Sequence, residues 1–376
     1  METTAAVARE IGGPFSLESV TLADPAADEI VVEIAGVGLC HTDLAAKDGH
    51  LPFPLPGVLG HEGSGVVVAV GDGVTKVVPG DKVVLSFNSC GRCAQCRAGE
   101  PAYCVRFMAL NFAGARTDGS NTLHLGDIAL GSEFFGQSSF ARHAIAHERN
   151  VVKVADDLPL SLLGPLGCGV QTGAGAVMNS LDCKRGSTLL VLGGGSVGLS
   201  AVMAAAVREL ATVIVVEPHA QRRDLALSLG ATHAVDPAVG PLAEQVRAIL
   251  PDGVDHAIDT TGIVPVLEQA MLSLANRGRL GIIGVPADPS AALPLNLIQA
   301  QVIGVTVLGI VEGGSDPDVF VPYLLDLYRA GRFPFDKLIT TRPFSEIDEA
   351  VEAQHRGEAV KIVLVHERKA GNPTWN

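Results

Sequence analysis

Seven cysteines, Cys40, Cys90, Cys93, Cys96, Cys104, Cys168 and Cys183, offer this chain its densest chemistry. Four of them fall in the run SFNSCGRCAQCRAGEPAYC, spaced C-x2-C-x2-C-x7-C. Thiolates this close in a glycine-bearing loop can surround one tetrahedral ion at about 2.3 Å. With every coordination position filled by protein, Cys90, Cys93, Cys96 and Cys104 describe a structural zinc site. An iron–sulfur cluster is the rival for soft ligands, but the chain has no second cysteine set and no ferredoxin-type spacing.

Two of the remaining cysteines lie in segments that also carry polar chemistry. GVGLCHTDL brings Cys40 together with His41, Thr42 and Asp43, and GPLGCGVQTGAG contains Cys168. Between them, PGVLGHEGSG supplies His61 and Glu62. Cysteine and histidine together select zinc, and three protein ligands leave a fourth position for water or substrate. Singly these residues carry little weight, since a lone cysteine is usually a small buried hydrophobe. Their value rests on a fold that makes them meet. Cys183, in NSLDCKRGS, is expected to be a thiol without a role.

The surrounding elements divide the chain. At 376 residues, with 47% hydrophobic content, two domains with full cores are expected. Residues 1–150 read as short strands punctuated by Gly and Pro, an irregular β-rich region. From about Gly169 the pattern alternates: STLLVLGG, ATVIVVE, VDHAIDTTG, LGIIGVP and VIGVTVLG are strand-like runs separated by helical stretches. Such alternation implies a parallel, doubly wound sheet covered on both faces. The expected division is 1–169 and 311–376 for one domain and 170–310 for the other.

The first strand–helix junction of the second region reads Gly193-Gly194-Gly195-Ser196-Val197-Gly198. Directly after a buried strand and opening a helix, this G-x-G-x-x-G marks a dinucleotide-binding turn. Gly193 allows the tight turn, Gly195 lets backbone approach a pyrophosphate and Gly198 lets helix pack on strand, while the amides of Ser196 and Val197 open the helix toward the phosphates. Glu217, at the end of the second strand, can accept from a ribose 2′-hydroxyl and repel a 2′-phosphate, which favours NAD over NADP. Arg222, five residues on, is the nearby cation that could instead greet a phosphate.

The net charge of −14 and pI near 5.2 argue against a nucleic-acid or anionic-membrane surface, which call for clustered Lys and Arg. METTAAVARE has no basic, then apolar, leader pattern, and no apolar run approaches the ~20 residues of a membrane helix. A cytoplasmic protein in a reducing compartment, without disulfides, is expected.

In order and spacing, GVGLCHTD, GHEGSG, the four-cysteine lobe, GPLGCGVQTGAG, VLGGGSVG and GIIGVP resemble the zinc-dependent medium-chain alcohol dehydrogenases over essentially the whole chain. CHTDL and GPLGCGVQTGAGAV most resemble the bacterial aryl (benzyl)-alcohol dehydrogenases. The resemblance implies a GroES-like catalytic domain, a Rossmann domain, two zinc ions per chain and NAD-linked hydride transfer between a hydrophobic primary alcohol and its aldehyde. By position, Cys40, His61 and Cys168 match the catalytic zinc ligands and Glu62 the acid beside the metal. Asp43 matches the carboxylate that orients the ligating His, and Thr42 the hydroxyl that contacts substrate oxygen. His41 and Lys361 match basic residues at the cofactor pyrophosphate. Thr172, Ile283 and Val285 match positions around the nicotinamide, and Leu51 and Phe87 positions lining the alcohol pocket.

Ala45 stands where several family members carry a His that ends a proton relay, and His50 nearby reads as an exposed turn residue. Glutathione-dependent formaldehyde dehydrogenases share CHTD but carry acids where this chain has Leu51, which keeps thiol-adduct oxidation as the alternative. A zinc- and NAD-binding protein without this catalysis is the other. The family commonly assembles through the edge of the dinucleotide sheet, so a homodimer, with a tetramer as the further form, is expected through VIGVTVLG.

Overall fold

A computed structural model describes residues 1–367 of the chain as two units. The first comprises Met1–Cys168, Asp316–Tyr323 and the chain from Ile339 onward; the second comprises Gly169–Ser315 and Leu324–Leu338. The expected boundaries differ at residue 169, at 311–315 and at 324–338, all of which fall in the second unit. Within 324–338, Phe333 and Phe335 are fully buried and Tyr328 packs on Phe335 at 4.8 Å between ring centroids.

The first unit is built around the strand Glu29–Gly38, EIVVEIAGVG, buried at all ten positions. A run this apolar and β-branched suits a strand covered on both faces. It pairs antiparallel with Gly63–Val70 along one side. Along the other, His143–His147 takes its first half and Lys361–Val365 its second. A smaller five-stranded sheet is centred on Glu2–Ala8 and Phe15–Leu22. Between these elements lies a core containing Phe134, Phe140, Ile30, Ile34 and Leu59.

The β-rich expectation holds, with an addition. Short helices cover His41–Lys47, Ala94–Arg97 and Phe107–Asn111, each too brief to register as a 3.6-residue period.

In the second unit, six parallel strands run in the order His233–Val235, Thr212–Val216, Thr188–Leu192, Val254–Asp259, Leu274–Ile282, Thr306–Gly309. Numbered along the chain that order is 3-2-1-4-5-6, the doubly wound Rossmann topology. Leu189–Leu192 are wholly excluded from water, as a strand sandwiched between helices must be. The order reverses between the first and fourth strands, beside Gly193, and ligands of open α/β sheets bind outside such switch points. Among the described residues no helix is long and apolar enough to cross a membrane.

Candidate metal and dinucleotide sites

Cys40 immediately precedes the helix His41–Lys47, and its amide donates to Asp43 Oδ2 at 3.0 Å. Asp43 is fully buried. Its Oδ1 accepts from the Gly60 amide at 3.0 Å and from His61 Nδ1 at 2.8 Å. A carboxylate only accepts, so Nδ1 carries a proton, and in the neutral ring Nε2 keeps its lone pair. That Nε2 is buried and has no partner among the described residues. Cys40, His61, Glu62 and Cys168 each present a ligand atom, all within 4.8 Å of one another. An orphaned imidazole nitrogen beside two thiols is the donor set of a tetrahedral zinc site with room for one more ligand, and these residues fit that ion.

In the metal-free cluster the electrostatics favour a Cys40 thiolate beside a His61 imidazolium, whose Nε2 proton an incoming metal would displace. A hydrogen bond from Cys168 lowers the Cys40 thiol well below its ordinary range, burial opposes this, and the charges of Lys361 and His61 reinforce it. Burial works against the His61 imidazolium, yet Asp43 and Cys40 together raise it well above the usual value. Burial also raises Glu62, against the pull of Lys361. Both Glu62 oxygens lie 2.9 Å from Lys361 Nζ, which also donates to Leu39 O at 3.1 Å.

That contact gives one expected cofactor residue a partner beside the cluster. Lys361, read by resemblance as a pyrophosphate contact, is 3% exposed with its ammonium held by Glu62. The register is the reason: Val363 pairs with Gly38, which brings Lys361 level with Cys40. His41 is exposed, and Thr42 is half-buried with its Oγ1 3.7 Å from Cys40 Sγ. Ala45 is 2% exposed, in the core, and His50 is exposed. Leu51 is half-buried against the first unit's core. Phe87 is a core ring, 3% exposed and 5.8 Å from Phe107.

Sequence reasoning passed over SEFFGQSS. Phe135 stacks on His61 at 4.4 Å with 25° between planes, and Phe134 meets the same imidazole edge-on at 5.5 Å. Gln137 Nε2 donates to His61 O at 2.8 Å, and its Oε1 accepts from the Gly63 amide at 3.1 Å. Glu133, Phe135 and Ser138 all adopt positive φ, 64°, 52° and 51°. For a bulky aromatic this conformation is strained, and such strain collects at functional sites. Adjacent phenylalanines before a glycine in a polar stretch were the visible signal.

The second cysteine set also converges. Cys90, Cys93, Cys96 and Cys104 present their sulfurs within 4.8 Å of one another, with Cys93–Cys96 at 3.5 Å and Cys90–Cys96 at 3.9 Å. Four thiolates around one zinc at about 2.3 Å stand about 3.8 Å apart. The observed spacing thus suits a single ion and leaves no space for an iron–sulfur cluster. Backbone amides aim at the sulfurs: Cys93 N to Cys90 Sγ at 3.3 Å, Cys90 N to Cys104 Sγ at 3.3 Å, and Cys96 N to Cys93 Sγ at 3.5 Å. Cys183 is fully buried, and burial pushes its thiol up to about 12, which makes it inert.

In the second unit, Gly193 has φ +101°, and a Cβ on Gly198 would lie 1.9 Å from Gly193 O. Nothing stands within 4 Å of the Gly195 Cβ position, so backbone there is open to a ligand. Ser196 Oγ is buried without a partner among the described residues at the start of the twelve-residue helix Ser196–Val207, and Val197 follows it. Free amides, an orphaned hydroxyl and an open glycine fit a pyrophosphate. Glu217 is 4% exposed and accepts from the Gly194 amide at 2.8 Å. Arg222 lies on the helix Ala220–Ser228, which begins three residues after Glu217. Thr172 sits on the helix Gly169–Gly175, and Ile283 and Val285 follow the strand Leu274–Ile282, half-buried.

Comparison with known proteins completes the assignment. Residues 26–156 match the alcohol dehydrogenase GroES-like domain, and residues 196–328 match the zinc-binding dehydrogenase domain. A geraniol dehydrogenase of Castellaniella defragrans is 52% identical over 363 residues, covering 96% of this chain and 97% of that protein. The solved benzyl alcohol dehydrogenase of Acinetobacter calcoaceticus superposes with a TM-score of 0.94 at 40% identity, covering 98% of this chain and all of that one. An alcohol dehydrogenase zinc-binding domain protein of Burkholderia ambifaria gives a TM-score of 0.95 at 45% identity, again with 98% and 100% coverage. The chain belongs to the zinc-binding alcohol dehydrogenases of the medium-chain dehydrogenase family.

Proposed function

We propose that this alcohol dehydrogenase uses NAD to oxidise a hydrophobic primary alcohol, aryl or allylic, reversibly to its aldehyde, with one catalytic and one structural zinc per chain. The observation that carries the reading is the orphaned His61 Nε2 amid Cys40, Cys168 and Glu62. When bound, zinc supplies Lewis acidity toward the alcohol oxygen and the dinucleotide supplies the hydride acceptor. His61 is held in the ligating tautomer by Asp43. Lys361 keeps Glu62 paired beside the cluster. Thr42 Oγ1, next to Cys40, accepts the hydrogen bond of the alcohol hydroxyl and passes its proton on. Ala45 supplies no base, so that proton leaves by another acceptor.

Apolar Leu51 and the named activities of the geraniol and benzyl alcohol relatives support a bulky hydrophobic substrate. Glu217 supports NAD. Cysteines gathered into ligand clusters rather than disulfides support a cytoplasmic location. Steady-state rates with benzyl alcohol, geraniol, ethanol, and formaldehyde plus glutathione test the reading, each with NAD and with NADP. A kcat/KM at least about tenfold higher for the bulky alcohols, with NAD, is expected, a difference of about 1.4 kcal/mol in transition-state binding. Preference for the glutathione adduct, or for NADP, would overturn the corresponding part.

We further propose a homodimer through the edge strand Thr306–Gly309. Leu297, Ile298 and Val302, on the helix just before it, are 70%, 75% and 78% exposed. A strand at the end of a sheet beside bare aliphatic side chains is a surface that proteins normally cover. Light scattering should return at least two chains per particle, and Val302→Asp should shift it toward one. A monomeric wild-type chain at micromolar concentration would exclude the dimer.

A further inference from the structure

Glu217 is held by more than its own position in the chain. A carboxylate has about four acceptor positions, two on each oxygen. Glu217 Oε1 accepts from the His219 amide at 2.9 Å and from His219 Nδ1 at 2.5 Å, and Oε2 accepts from the Gly194 amide at 2.8 Å. Three positions are thereby filled, and the fourth, on Oε2, suits one hydroxyl donor. A phosphate monoester offers no such donor and brings like charge. Two of the three donors are backbone amides; His219 is the only side chain donating to the Glu217 carboxylate among the described residues. Its ring is half-exposed, at 51%, while the carboxylate it touches is 5% exposed. The neighbouring cation Arg223 is engaged elsewhere, with the Glu217 and Pro218 carbonyls and with Asp236 at 3.0 Å.

We propose that His219 is a positioning residue that sets coenzyme selectivity: by holding Oε1 it fixes Glu217 in the one orientation that accepts a ribose 2′-hydroxyl and repels a 2′-phosphate. The inference rests on the NAD reading above and extends it to a second residue. Without the imidazole, Glu217 keeps its charge but its carboxylate loses the one side-chain anchor found among the described residues, and it can turn from the 2′ position. Discrimination then falls because the acid is no longer aimed.

Calorimetric binding of 5′-AMP and 2′,5′-ADP to the full zinc-loaded chain tests this without turnover. In the wild-type protein 2′,5′-ADP should bind at least about tenfold more weakly than 5′-AMP, the size expected of one misplaced charge. His219→Ala should bring the two affinities within about threefold of each other, mainly by weakening 5′-AMP. In His219→Asn, Nδ2 can take the place of imidazole Nδ1, so this variant should restore most of the wild-type ratio. Far-UV circular dichroism establishes that both variants fold. An unchanged ratio in His219→Ala, or equal loss in the Ala and Asn variants, would overturn the assignment to His219. Equal binding of both nucleotides by the wild-type protein would instead overturn the NAD reading on which it rests.

Discussion

Exchanging Asp43 for Asn should weaken zinc binding at the Cys40–His61–Cys168 cluster by about 10- to 100-fold, although the substitution changes neither size nor shape. Asp43 is fully buried and serves three donors: the Cys40 amide, the Gly60 amide and His61 Nδ1–H. An amide side chain has one accepting oxygen and one donating nitrogen. If the nitrogen faces His61, Nδ1 must become the acceptor and the ring proton moves to Nε2, where the metal needs a lone pair. If the oxygen faces His61, the nitrogen meets the Cys40 N–H head-on, and each buried donor left unmet costs about 1–3 kcal/mol. Zinc content after dialysis against graded chelator reads the effect directly. His61→Ala calibrates the far end: one zinc per chain, a kcat reduced at least about a thousandfold, and a barrier raised by about 4 kcal/mol. Wild-type zinc retention in Asp43→Asn would show that Asp43 does not set the tautomer.

The second large effect lies in the four-cysteine lobe. Cys104→Ser should lower the thermal midpoint by at least about 10 °C, since lost metal ranks among the few causes of changes above about 4 kcal/mol. Cys104 Sγ accepts from the amides of Cys90 and Arg106, at 3.3 and 3.4 Å, and so joins both ends of the loop. The helix Ala94–Arg97 buries no residue, and the lobe's ties to the core include buried Ala102 and Asn111, which bonds both the amide and the carbonyl of Asn88. Protease cleavage within 90–106 of the variant, but not of the wild type, locates the damage.

Zinc affinity at the lobe should also follow pH. The Cys96 amide holds Cys93 down to about 6, while burial, together with Cys93 beside it, pushes Cys96 up to about 12. Between these values the metal-free lobe keeps the Cys96 proton, which zinc must expel. Affinity therefore rises with pH and falls about tenfold or more per unit of acidification. A flat profile between pH 6.5 and 8.5 would contradict this.

The four-cysteine lobe was legible in the sequence because ligand chemistry confines residue type and spacing to few solutions, whereas Cys40, His61, Glu62 and Cys168 lie far apart in the chain and are grouped there only by resemblance. The Rossmann unit was legible because buried parallel strands leave uninterrupted apolar runs such as LLVL. What escaped notice depends on register and on side-chain direction. Lys361 reaches Glu62 across 299 residues through strand pairing that no local pattern encodes. Phe135 meets His61 only because its backbone takes a left-handed turn. His219 lies two residues from Glu217, yet nothing in EPHA shows that its ring folds back. Helices of four to seven residues, such as Ala94–Arg97 and His41–Lys47, are shorter than the period that would reveal them.

The pairing of Lys361 with Glu62 also carries a consequence for biosynthesis. The dinucleotide unit is drawn almost entirely from one continuous stretch, Gly169–Ser315, so it can collect its contacts as the chain emerges. The other unit waits for the last strand among the described residues, Lys361–Val365, to reach Gly36–Gly38. Until residue 361 of 376 has been made, Glu62 lacks the Lys361 ammonium and the strand Glu29–Gly38 has an open flank beside Cys40. Closing a loop of such length makes this step slow relative to local folding. The nascent protein thus completes its coenzyme fold first and its metal-binding cluster last.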